Sequence, residues 1–256
     1  MSILEYPQDW RDLQSKVGVI LKQSNFKVEI EKKIASVRSL IEIDVYAEEK
    51  IEDRTYTVLC ECKMWKSNIP QLYVHGLRTV VGDIGANKGY IITTSNFQQG
   101  AKDSVSNTNI ELITWNDFQR IFFKSWYINH FSPTLSSFTF SEYDPAAIQF
   151  FEDYEAIPQE KFRLLITQYY AINRIAHHFP HYIHKDRAQE FADFHDKLPL
   201  IEKLFLEEYE TFDLLEIPSE ILEERYYSNF LALLKKFAAP IYEELDKLNL
   251  FFDYED

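Results

Sequence analysis

Ile41-Glu42-Ile43-Asp44-Val45-Tyr46, followed after a short polar segment by Thr55-Tyr56-Thr57-Val58-Leu59-Cys60-Glu61-Cys62-Lys63, is the stretch whose reading decides the fold. Both runs alternate, and on a strand successive side chains point to opposite faces, so residues two apart share one. Glu42 and Asp44 then lie opposite the isoleucines and Val45. Val58, Cys60 and Cys62 share one face of the second run, and Leu59, Glu61 and Lys63 the other. The segment from Glu48 to Arg54 is polar and of hairpin length. The two runs are expected to be adjacent antiparallel strands, with Asp44 and Glu61 on a common surface.

That surface has a chemistry. Two carboxylates are ligands of the kind Mg2+ takes, with Mn2+ as a substitute, and the backbone carbonyl of Cys62 could complete the protein's share of the shell. An ammonium group at Lys63 would stabilise a hydroxide nucleophile while the cation offsets charge building on a phosphate. The pattern implies metal-dependent phosphodiester hydrolysis. Glu-x-Lys is also common on solvated strands, where it makes weak ion pairs, so the surrounding elements decide its weight.

Read outward, residues 9 to 118 predict a helix over Asp9 to Ser24 and strands over Phe26 to Lys33, Ile41 to Glu48 and Thr55 to Lys63. A helix over Gln71 to Val81, a strand over Gly89 to Thr94, a helix over Phe97 to Asn107, a strand over Ile110 to Thr114 and a helix from Asn116 follow. Three strands and then alternating helices and strands describe an α/β domain, a mixed sheet flanked by helices. The runs Glu61-Cys62-Lys63-Met64-Trp65, Arg78 to Ala86, Gly89 to Ala101 and Ile110 to Trp115 resemble the Mrr-like branch of the restriction-endonuclease-like (PD-(D/E)xK nuclease) superfamily, over about residues 9 to 120.

The resemblance implies a Mg2+-dependent DNA endonuclease of bacterial restriction or antiphage defence. It makes Asp44 and Glu61 metal ligands and Lys63 the residue that assists the nucleophilic water. The family's first helix often carries a glutamate that reaches the metal; here the matching position is Gln14. An amide can orient water or ligate weakly but adds no charge, so metal affinity falls or Glu42 compensates. A catalytically silent module that binds nucleic acid or a partner protein is the alternative.

Among further DNA contacts, Trp65 lies just beyond Lys63, and Lys66, Arg78 and Lys88 are basic residues close to the motif in sequence. Ser95 sits where a strand ends and a helix is expected to open, a place where backbone amides favour phosphate; an N-cap role would serve it equally.

The 256 residues suit two domains better than one. The polar stretch 131–144 has the composition of a connector, which divides the chain into a nuclease domain (1–130), the linker and a C-terminal domain (145–256). All six glycines fall at or before Gly100, and the glycine-free remainder favours helices. Phe162, Leu165, Ile166, Tyr169, Ile172 and Ala176 follow helical spacing, and so do Ile221, Leu222, Tyr226, Phe230, Leu233, Leu234 and Phe237, opened by Pro218-Ser219 and interrupted at Pro240. Shorter helices are expected over Asp186 to Lys197 and Leu200 to Phe212. The C-terminal domain therefore reads as all-α.

Charge divides at the same place. Residues 1–125 hold 16 basic and 16 acidic side chains, and residues 126–256 hold 11 and 25, which is the whole net charge of −14. An acidic domain is a poor DNA grip and suits protein contacts: a homodimer or higher oligomer, which cutting both strands with one site per chain would favour, or a defence-system partner. His177, His178, His181 and His184 lack the acidic or cysteine partners of a zinc site. Arg174 and His181 have a spacing similar to the HEPN ribonuclease signature, a common one in helices. Cys60 and Cys62 share one strand face and cannot bridge comfortably. With no disulfide framework, signal peptide or membrane span, a cytoplasmic protein is expected.

Overall fold

In the computed structural model, residues 1–35, 40–139, 159–180, 196–203 and 216–247 are described. The chain divides into two compact units, Met1–Asn129 and His130–Asp256.

The first unit opens with α1 (Trp10–Gln23). Asp9 caps it by accepting from the Asp12 amide at 2.9 Å. It ends where Asn25 turns left-handed at φ 74° and the Phe26 amide donates back to the Leu21 carbonyl, which satisfies an otherwise orphaned carbonyl. Strands β1 (Lys27–Ala35), β2 (Leu40–Ile51) and β3 (Arg54–Lys63) then form an antiparallel meander. Helix α2 (Gln71–Ile84) carries the chain to β4 (Lys88–Thr93), and α3 (Gln99–Asp103) to β5 (Ile110–Thr114), both strands joining in parallel. The sheet order is β1-β2-β3-β4-β5. Helix α4 (Trp115–Trp126) closes the unit, capped by the Thr114 hydroxyl.

Helices cover both faces of this sheet. Tyr90 on β4 meets the ring of Phe122 from α4, whereas Ile91 joins Leu59, Val74, Leu77 and Val81 in the cluster under α2. Adjacent strand residues point oppositely, so α4 and α2 lie on opposite sides. Helix α1 packs on β1, β2, β3 and α4, with Trp126 Nε1 donating to Gln23 Oε1 at 2.6 Å. Leu59, on the same face as Glu61, is fully buried, as expected of a sheet covered on both sides. Beyond Leu59 on that face, Glu61 and Lys63 stay partly open.

The expected helix over Phe97 to Asn107 is confined to Gln99–Asp103. Ser104 and Thr108 hydroxyls bond the carbonyls of Ala101 and Val105, and Asn107 sits at φ 59°. Short polar side chains compete here with the helical ladder.

Among its described residues the second unit consists of helices and short irregular segments. The segment read as a connector is helical from Ser132 to Thr139 (α5), directly after a π-helical turn over Tyr127–Phe131. Helices α6 (Gln159–His178), α7 (Leu200–Lys203), α8 (Ser219–Leu222) and α9 (Tyr227–Lys247) follow. The interruption expected at Pro240 falls instead at residues 223–226. There the Glu224 carboxylate accepts from the Arg225 and Tyr226 amides at 2.7 and 2.8 Å and ends α8, while α9 runs on through Pro240. Phe131, Phe179, Tyr227 and Phe230 stack their rings in the core of this unit. The helix expected over Asp186 to Lys197 falls largely on residues 181–195, and that over Leu200 to Phe212 largely on 204–215, both outside the described residues. Among the described residues no helix is long and apolar enough to cross a membrane.

Candidate active site

The site lies where β2 and β3 part. Their ladder runs as far as the pair Val45 and Cys60, while β3 continues to pair with β4 up to Lys63 and Thr93. The edge amide freed by this parting, that of Cys62, donates to Asp44 Oδ2 at 2.7 Å. A carboxylate thus takes the place of a strand carbonyl.

Alternation alone does not put Asp44 there. Opposite it on β1, Glu31 adopts φ 53°, and the β1–β2 ladder skips this pair. Ile43 and Tyr46, three residues apart, enter the same apolar cluster, so strict alternation fails between them and the Asp44 carboxylate turns into the fork. Gln14 approaches it from α1: the side chain is 6 % exposed and acts to lower the pKa of the carboxyl. Helical spacing buries Gln14 with Leu13, Val17 and Leu21, which is why an amide can be held at this depth.

Across the fork, Lys63 Nζ lies 2.5 Å from Glu61 Oε1. Burial and the neighbouring Glu61 charge push the Asp44 carboxyl above its ordinary pKa, against the pull of the Cys62 amide, Lys63 and Gln14. Burial disfavours the Lys63 ammonium, but Glu61 above all, with Asp44 and Tyr73, outweighs it and raises its pKa. Two crowded carboxylates with one ammonium between them form a site that a further cation would relieve. Cys60 and Cys62 are buried free thiols, their pKa values pushed up by burial. Among the described residues no three His, Cys, Asp or Glu side chains gather as a metal cluster. The fork thus holds two carboxylates, Asp44 and Glu61, with the Gln14 amide and the Cys62 backbone beside them.

Of the expected DNA contacts, Trp65 and Lys66 stand exposed on the loop directly after β3. Trp65 meets Tyr73 edge-on, ring centroids 4.9 Å apart. Ser95 is linked to it through the Thr93 hydroxyl, which bonds both Ser95 and the Lys63 carbonyl, whereas Lys88 and Arg78 lie away from it. Lys88 starts β4 beside Val58 and pairs with Glu111 at 2.7 Å; five residues at about 3.3 Å each separate it from Thr93. Arg78 is exposed on α2, seven residues or about 10 Å beyond the helix start. Ser95 does not cap α3, whose N-cap is Gln98; its hydroxyl donates to the Ser67 carbonyl at 2.9 Å. Glu42 is exposed and turned toward Lys33. His177 and His178 lie in the last turn of α6, and His181 and His184 lie outside the described residues.

Two residues at the site escaped sequence reasoning. Tyr73, in the first turn of α2, has its ring centroid 5.4 Å from Lys63 Nζ. Tyr6, 53 % exposed, donates its hydroxyl to the Thr94 carbonyl, whose residue's amide in turn bonds the Lys63 carbonyl. Nothing in local spacing marks either.

Residues 7–122 match the family model Mrr_cat, described as restriction endonuclease. No curated protein matches the chain. Among solved structures, AF1548, a protein of unknown function, is 16% identical with a TM-score of 0.37 over 66% of this chain and 97% of its own. The DNA modification-dependent restriction endonuclease AspBHI is 14% identical with a TM-score of 0.27, over 41% of this chain and 28% of its own. The MspJI restriction endonuclease, solved in complex with a 27-mer oligonucleotide, is 15% identical with a TM-score of 0.31, over 46% of this chain and 28% of its own. Residues 7–122 thus match a restriction endonuclease domain of the Mrr type, and their mixed five-stranded sheet flanked by helices is restriction-endonuclease-like.

Proposed function

We propose that this protein is a Mg2+-dependent DNA endonuclease that acts in restriction or antiphage defence. The observation that carries the reading is the convergence of Asp44, Glu61, Lys63 and Gln14 in the fork between β2 and β3. The donor set suits a hard divalent cation, which when bound would offset phosphate charge and lower the pKa of water at the site. Asp44 and Glu61 would hold the cation, and Gln14 and the Cys62 amide keep the Asp44 carboxylate in one orientation. Lys63 would turn its ammonium to the nucleophilic water or to a phosphate oxygen, where charge develops in the transition state. Trp65 and Lys66 flank the entrance and are the candidate DNA contacts.

Supercoiled plasmid incubated with the pure protein tests this. Nicking with Mg2+ or Mn2+, none with EDTA, and none by folded Glu61→Ala or Lys63→Ala is the expected set. Undiminished cutting by Lys63→Ala would remove the mechanism. One observation favours the alternative of a silent binding module: Gln14 adds no charge where a third carboxylate would strengthen the cation's hold. DNA binding without cleavage at any metal concentration would select it.

The acidic second unit would serve self-association or docking of a defence partner. Loss of residues 145–256 should then change the mass in solution or the cleavage rate; a folded truncation altered in neither excludes that role.

A further inference from the structure

We propose that Tyr73 is a positioning residue for Lys63, so that the first turn of α2 belongs to the active site. This rests on the nuclease reading above and goes beyond it, because neither the motif nor its strands contain this residue.

The geometry assigns the role. Lys63 is fixed at its backbone: its carbonyl accepts from the Thr93 hydroxyl at 2.9 Å and from the Thr94 amide at 3.3 Å. Beyond that anchor the side chain is a flexible four-carbon stem, and a lysine keeps considerable rotamer freedom unless something holds its end. Two groups do so. Glu61 attracts the ammonium from the same strand, and the Tyr73 ring stands 5.4 Å from Nζ, within the reach of a cation–π attraction. The carboxylate alone would hold the ammonium as an ion pair with Glu61; the ring supplies a second attraction, so that the ammonium has a place to stay when Glu61 is engaged elsewhere.

The same ring carries the loop after β3. Trp65 lies against Tyr73 at 88°, edge to face, and is itself 36 % exposed. The loop is fastened at its far end, where the Ile69 amide donates to the Asn96 carbonyl at 2.8 Å and the Gln98 amide to the Ile69 carbonyl at 3.0 Å. The Tyr73 ring thus meets both the ammonium and the exposed tryptophan. Both contacts are made by the ring, so the ring carries the role.

The test compares Tyr73→Phe with Tyr73→Leu in the full chain. Single-turnover cleavage of plasmid DNA should stay within about twofold of wild type for the phenylalanine, which keeps the ring, and fall about tenfold or more for the leucine, with half-saturating DNA and Mg2+ concentrations little changed. An independent readout needs no activity: with 13C-lysine labelling, the Lys63 ε-methylene protons should resonate upfield in wild type and Tyr73→Phe and return to the ordinary lysine position in Tyr73→Leu. A leucine variant that melts like wild type and cleaves as fast overturns the proposal, as does a phenylalanine variant that loses as much as the leucine. A wild-type protein that cleaves nothing sinks the nuclease reading and the positioning role together; one that cleaves while the leucine variant keeps pace sinks only the role of Tyr73.

Discussion

Replacing Lys63 by methionine should tighten divalent-metal binding while abolishing cleavage. The ammonium sits 2.5 Å from Glu61 Oε1, with side-chain exposures of 18% for the lysine and 27% for the glutamate. A cation entering between Asp44 and Glu61 must displace that contact and then share the fork with a positive charge. Two unit charges about 4 Å apart repel by roughly 1 kcal/mol in bulk water, hence about 2 kcal/mol for a divalent ion, and by more in a half-buried site. The stem of Lys63 can swing aside and relieve part of this, so the gain on Lys63→Met should be about 5–30-fold in the dissociation constant. Methionine keeps the length and the apolar packing of the stem, which separates the charge from the fold. Calorimetric titration with Mn2+ and Mg2+ at constant pH measures the affinity, and plasmid nicking the activity. An affinity unchanged or weakened in the folded variant would refute the idea that lysine and metal compete for Glu61.

Gln14→Glu adds a carboxylate against Asp44 and should lower the Mg2+ concentration needed for half-maximal binding; unchanged Mg2+ dependence would leave Gln14 a structural residue. Gly89→Ala places a Cβ 2.8 Å from both Ile110 Cδ1 and Val81 Cγ2, an overpacking expected to cost about 1–3 kcal/mol in chemical denaturation; wild-type stability would show that the α2 face yields there. Glu244, hydrogen-bonded by Lys161 and Lys247, has its pKa lowered to about 2. Its small, solvent-screened stabilising effect is present above the unfolded carboxyl value near 4.5 and is lost as pH falls through about 2. Glu244→Gln should therefore melt earlier than wild type at pH 7 and alike below pH 2, and a gap that persists in acid would exclude the linkage.

The strands were legible because their alternation is local. Ile110–Thr114 falls as expected, and the Thr55 to Lys63 run differs by one residue. The helices were legible where apolar spacing repeats, as in α1 and α6, and misjudged where single residues decide: short polar residues end α3 early, and the Glu224 carboxylate, not Pro240, divides α8 from α9. At the site, Glu61 and Lys63 share a face as strand spacing expects, whereas Asp44 reaches the fork only through a break in alternation and Gln14 was pointed to by the family resemblance alone. Nearness in sequence misled for Lys88, since β4 runs parallel to β3 and begins at the far end. Tyr73 and Tyr6 were beyond reach because their positions follow from how α2 and the N-terminal segment pack, which no local period encodes.

Asp44 couples the chemistry to the fold, and this allows the two to be separated. Strand β3 is hydrogen-bonded on both edges until Cys60 and only on its β4 edge thereafter. The Cys62 amide left over would be a half-buried donor without a partner, costing about 1–3 kcal/mol, had the Asp44 carboxylate not taken it at 2.7 Å. Asp44→Ala should then lose stability of that order together with metal binding, and its inactivity would be uninformative. Asp44→Asn keeps an oxygen acceptor for the Cys62 amide and removes only the charge. In the asparagine variant, unfolding in denaturant should match wild type within about 1 kcal/mol while calorimetry finds metal binding strongly weakened and plasmid stays intact. Wild-type metal affinity in Asp44→Asn would show that the carboxylate's charge serves no cation and that its place in the fork is architectural.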